Sequence, residues 1–234
     1  MRKFKIITFY SVLLCILLTM WFLYLYRNYS FEINDLQGLV SLVTEYSGFN
    51  NHILHFSFYL VCELILLTYV MPPINSQIVT RVSRIKLWKS IIIQNFVSVL
   101  LFILIFNFIH IAMVLQRTDI TMLSKFNFWI AFCLNFVMMF AGYLALNSIF
   151  IVLHSLLLNK ELSSIIAVIS SLLLYASERY FRVLTILYPV YYNYYSTGID
   201  LFDYLSELLQ RLTLFVILTY VSMYIFEKRD ILNE

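Results

Sequence analysis

The chain has 234 residues, of which 62% are hydrophobic and only 12% charged, against about 45–50% and about 25% in soluble domains. So few charges cannot cover so much apolar surface in water, which excludes a soluble globular fold and makes lipid part of the solvent. The net charge of +3 supplies no basic domain for nucleic acid.

A spanning helix needs roughly 20 apolar residues, because the hydrocarbon core is about 30 Å thick. The charges mark where such helices fit. Between Lys5 and Arg27 lie 21 uncharged residues, and segment one is placed at 6–26. The stretch 27–52 reads as a polar loop with scattered apolar residues. Segment two, 53–71, is apolar apart from Glu63 and ends at Pro72 and Pro73. The basic stretch 72–90 repeats Ile78, Val82 and Ile85 at helical spacing, with Arg81, Arg84, Lys86 and Lys89 among them. It reads either as a topology-setting loop on anionic lipid or as a docking element, in the form of a short surface helix.

Segment three, 91–115, lies within the 27 uncharged residues between Lys89 and Arg117, and segment four, 127–153, within the 34 between Lys125 and Lys160. Segment five is placed at 162–177. The tyrosine-rich stretch 178–206 follows, with Tyr188, Tyr191 and Tyr192 around Pro189; tyrosine is at home at the interface with its hydroxyl wet. Segment six, 207–226, takes Arg211 into its outer end, where an arginine snorkels to the headgroups. Trp21, Trp88 and Trp129 fall at boundaries, and Gly142 is a small residue for close helix approach.

Ten of the 16 lysines and arginines fall on one side of this map, namely Arg2, Lys3, Lys5, Arg81, Arg84, Lys86, Lys89, Lys160, Lys228 and Arg229. The positive-inside rule makes that side cytoplasmic. The expected fold is an all-α integral membrane bundle of six transmembrane helices with both ends inside, forming one domain over 1–234. No small-residue cleavage site follows Tyr26, so segment one reads as a retained helix.

Glu63 in mid-span reads as a residue lining a polar path or as a hydrogen-bonded packing residue. Asn107 and His110, one turn apart, carry the same two readings. His52 and His55 form a His-x-x-His pair without an evident third ligand, so no metal is expected. Cys15, Cys62 and Cys133 read as small buried hydrophobes. Neither Gly-x-Ser-x-Gly nor Gly-x-x-x-x-Gly-Lys-[Ser/Thr] occurs, so no catalytic site and no directly bound cofactor is expected. Phe106-x-x-x-His110 matches half of the CAAX-type intramembrane protease pattern, but no Glu-Glu pair with a following arginine precedes it.

The layout resembles the membrane subunit of ABC-2 type transporters. Six spans have both ends inside, Thr80–Lys89 lies where that family places a coupling helix, and Leu187-Tyr188-Pro189-Val190-Tyr191-Tyr192 looks like its leucine-proline-aromatic stretch in an outer re-entrant segment. Members often carry an amphipathic helix before span one; here about five residues precede it, too few for such a helix, so the chain departs from the family pattern and would be a reduced member. The resemblance implies a permease subunit in a bacterial cell membrane that exports an amphipathic or hydrophobic peptide, as in antimicrobial-peptide export or resistance. It implies a second permease subunit, identical or homologous, and separate cytoplasmic ATPase subunits that bring the ATP. Ile78, Arg81, Val82, Arg84, Ile85, Lys86, Trp88 and Lys89 would receive the ATPase, and segments one, two and five would face the path. The alternative is a non-transporting polytopic protein, an immunity factor or scaffold.

Overall fold

A computed structural model describes residues 8, 10–20, 22, 35–45, 49–72, 83–181 and 187–228, with the side chains of 178–181 excepted. All regular structure among these residues is helical. In chain order the helices are α1 (Tyr10–Met20), α2 (Leu36–Val43), α3 (His52–Val70), α4 (Arg84–Leu115), α5 (Ile120–Lys125), α6 (Phe128–Leu157), α7 (Lys160–Phe181), α8 (Val190–Ser196) and α9 (Leu201–Lys228). Five are long and apolar enough to cross a membrane: α3, α4, α6, α7 over Lys160–Ser177, and α9. The chain is therefore a multi-pass helical membrane protein.

Local chemistry sets the ends. Asp35 accepts from the Gly38 N–H at 2.8 Å and caps α2; Asn51 accepts from Ile53 at 2.8 Å and caps α3. Met71 is extended because Pro72 follows it, which stops α3. Lys160 then donates from Nζ to the Thr68 and Met71 carbonyls, both at 3.0 Å, satisfying the end of α3 from the start of α7. Asn127 (φ 52°) and Leu158 (φ 55°) bracket α6 in the left-handed region; asparagine tolerates it, whereas leucine is strained there.

The spans pack around α6, which touches α4, α7 and α9, while α3 closes the inner group against α4 and α7. The core is aliphatic and aromatic, with Phe102, Phe106, Tyr143 and Phe150 fully buried. One end of the bundle gathers the 45–55 corner, α8 and the start of α9; the other gathers Arg84, Trp88, Lys160 and Lys228, joined by Arg84 to the Glu227 carbonyl at 2.9 Å and Trp88 Nε1 to Ser222 Oγ at 3.1 Å.

Several expectations change. Of segment one, the described residues include the helix Tyr10–Met20, and most of the rest of 6–26 lies outside the described residues. Segment three begins at Arg84 and not at 91, so Arg84, Ile85, Lys86, Trp88 and Lys89 form the opening turns of α4 instead of a separate surface helix. The reason is length: 32 residues make about 48 Å of helix, more than the roughly 30 Å core, so the basic turns extend the span beyond lipid. Ile78, Arg81 and Val82 lie outside the described residues. The stretch 27–52 is no surface loop where it is described, because α2 buries Leu39, Leu42 and Val43 in the core. Cys15 and Cys133 are exposed, and Cys62 alone of the three is buried.

Candidate functional site

A π-turn over His55–Tyr59 interrupts α3 and shifts the face that its first residues present; such turns recur at functional sites. His55 is thereby buried between two partners. Its Nε2 lies 2.9 Å from Asn50 Oδ1 and its Nδ1 2.8 Å from the Tyr143 hydroxyl. An amide oxygen only accepts, so Nε2 carries the proton, Nδ1 accepts, and Tyr143 donates. Tyr59 donates to the Phe49 carbonyl at 2.9 Å, and Phe49 stacks on Phe106 at 4.9 Å. These contacts fold the 49–51 turn down onto the bundle.

Glu45, in the same corner, sends its carboxylate to α8. Oε1 accepts from the Tyr191 N–H at 2.7 Å and Oε2 from the Tyr192 N–H at 3.1 Å. Tyr191 stacks between His110 (5.6 Å) and Phe128 (6.0 Å). A cavity of ≈ 10 Å³, lined by Glu45, Asn50, His52, His55, Asn135 and Tyr188 among others, lies beside this contact; it has room for about one water. Burial pushes the Glu45 carboxyl up to about 7, against the pull of the N–H bonds from Tyr191 and Tyr192.

A second polar cluster lies deeper. The spacing of four along α6 puts Asn135, Met139, Tyr143 and Asn147 on one buried face. Asn147 donates to Asn95 Oδ1 at 2.9 Å, and Ser98 donates to Glu63 Oε1 at 3.0 Å. Asn147 lies beside the Glu63 carboxyl as well. Glu63 thus joins α3 to α4 and α6.

Glu63, Asn107 and His110 are buried, and none of them lines this cavity or the larger groove beside α1. Glu63 and His110 sit in different clusters, and Asn107 bonds its own helix at Ile103. In the 188–192 stretch, Pro189 precedes the first turn of α8, Tyr192 is exposed, and Tyr191 is fully buried instead of wet at an interface. Arg211 does not snorkel: it is 2% exposed and pairs with Glu207 at 2.9 Å. His52 and His55 gather no third ligand, and no metal cluster occurs among the described residues.

Sequence reading missed Glu45, Asn50, Tyr143 and the asparagine pair. The four-residue spacing of Tyr143, Asn147 and Glu207, Arg211 was a usable signal; nothing local marked Glu45. No protein-family model, curated protein or solved structure matches the chain.

Proposed function

We propose that the chain is the permease subunit of an ABC-2 type exporter in a bacterial plasma membrane. In this reading it crosses six times with both ends inside, pairs with an identical or homologous subunit, and moves an amphipathic or hydrophobic peptide at the expense of ATP bound by separate ATPase subunits. The observation that carries the reading is an open groove of ≈ 420 Å³ beside α1, lined by Val12, Ile16, Met20 and Phe58 with Ser11, Cys15 and Thr19 between them. It lies between segments one and two, where the path between two subunits is expected, and its lining suits an apolar cargo.

A mechanical coupling between two spans also fits this reading. Arg84, Lys86 and Lys89 open the 32-residue α4. Arg84 and Trp88 tie those turns to the end of α9, so a push on them shifts two spans together. ATP moves the helices only if the ATPase contacts this basic end differently in its two states.

Affinity purification from mild detergent tests the proposal. The chain should bring down an ATP-hydrolysing partner, R84E should weaken that association at least tenfold, and R84Q should retain most of it. If the chain purifies alone, or its cellular effect persists with the partner's ATPase inactivated, the transport reading gives way to a scaffold or immunity role.

A further inference from the structure

Glu63 is the one residue of α3 that carries a carboxylate, and no Asp, Glu, Lys or Arg falls within 90–115, 128–157 or 162–177 of the neighbouring spans. It is 0% exposed, and no salt bridge among the described residues reaches it. The groups that its charge does reach include the phenols Tyr10 of α1 and Tyr143 of α6, and a phenol carries no positive charge. A lone ionised carboxylate in mid-span is costly, so it takes its positive partner from outside the chain.

Oxygen surrounds it. Ser98 of α4 donates to Oε1 at 3.0 Å, and Oε2 has no hydrogen-bond partner. Asn147 of α6 lies beside the carboxyl and donates to Asn95 Oδ1 of α4 at 2.9 Å. Asn147 Oδ1 and Asn95 Nδ2 are likewise without partners, and both side chains are 0% exposed. A half-turn of a carboxamide exchanges its nitrogen for its oxygen. Three helices thus supply one cluster with two carboxylate oxygens, two amide oxygens and a hydroxyl. Buried polar atoms are nearly always paired, and here three neighbouring side chains each keep one that is not.

We propose that this cluster is a binding site for a single Na⁺, held between α3, α4 and α6 by the Glu63 carboxylate, the amide oxygens of Asn95 and Asn147 and the Ser98 hydroxyl. Such oxygens are hard ligands and suit a hard cation, not a soft transition metal. Charge sets the valence: a single carboxylate balances one positive charge, and no group of three His, Cys, Asp or Glu among the described residues gathers for a divalent ion. Size favours Na⁺ over K⁺. Na⁺ is close to Ca²⁺ in radius, and Ca²⁺ takes its oxygens at about 2.3–2.6 Å. The paired polar atoms stand 2.9 to 3.0 Å apart, closer than oxygens stand around the larger K⁺. Bound there, the ion completes Glu63 Oε2 and Asn147 Oδ1 and joins three spans. This inference does not depend on the transport reading.

Binding of radioactive Na⁺ to the whole chain in lipid nanodiscs tests the site. The assay runs at about pH 8, where protons compete least, with N-methyl-D-glucamine holding the ionic strength constant. The wild type should bind one ion per chain, and K⁺ in about tenfold excess should displace less than half of it. E63Q should bind none. N147A, which removes one charge-assisted contact, should bind about tenfold more weakly. D119N, which removes an exposed carboxylate at the start of α5, should bind as the wild type does. Na⁺ should also raise the unfolding temperature of the wild type and leave that of E63Q unchanged, and the same scans report that each variant is folded. A wild type that binds no Na⁺ holds a carboxyl neutralised by a proton only, which overturns the proposal. Equal competition by K⁺, or binding retained in E63Q, overturns it as well. Should E63Q fail to fold, the stoichiometry of the wild type and the loss in N147A still decide it.

Discussion

Tyr143 and His55 show how a single buried pair couples two spans. The imidazole accepts the only hydrogen bond that the phenol offers, across α3 and α6. Y143F leaves Nδ1 without a donor, and buried pairs of this kind are worth about 1 kcal/mol in membrane proteins. Unfolding in mixed micelles should show that loss in Y143F, a similar one in H55F, and little further loss in the double variant. Arg211 carries a larger penalty. Its charge is buried against Glu207, and removing one partner of a buried pair costs about 3–5 kcal/mol. E207A should therefore destabilise the fold far more than the paired R211M/E207M replacement, by the same unfolding measurement. Both pairs are spaced or typed so that a sequence hints at them, yet neither their burial nor their depth is written locally.

At the scale of elements, the helices end where side chains meet the orphan groups of their last turns. Lys160 reaches back over the C-terminus of α3 and meets two carbonyls. K160M should fray that end, seen as faster hydrogen exchange over 66–72 with the middle of α3 unchanged; K160R, which keeps charge and donors, should exchange as the wild type does. Spans three and four were legible because charge-free runs of 27 and 34 residues leave no other home than a long apolar helix. Helix α2 was not legible. Its polar neighbours and eight-residue length resemble a loop, and it packs against the α8 segment, which arrives from far along the chain. Likewise, hydropathy marks where a helix enters lipid, not where it begins, so the basic turns Arg84–Lys89 read as a separate piece.

Across the whole molecule both ends of the bundle carry charge, with Glu161 and Glu227 among the cations of one end and Arg117 and Lys125 among the groups of the other. Arg84, Lys160 and Lys228 lie at one, while Glu45 lies at the other with Asp200 at the start of α9. Cysteines placed at Glu161 and at Asp200 in a cysteine-free background should react with an impermeant maleimide from opposite faces, Asp200→Cys from outside and Glu161→Cys only after the cells are opened. The reverse pattern would place the basic turns outside, where no cytoplasmic ATPase reaches them, and would end the permease reading.

Composition and the spacing of charges were enough to place this chain in lipid and to locate, within a few residues over much of their length, the five long apolar helices found among the described residues. Those properties follow from the cost of each residue in hydrocarbon, which is paid locally. Only the tertiary structure decided that Glu45 fastens α8, that Glu63 serves Ser98 and Asn147, and that Tyr191 and Arg211 are buried. Such roles depend on which polar groups meet once apolar faces have packed, and partners 35 to 147 residues apart leave no periodic trace in the chain.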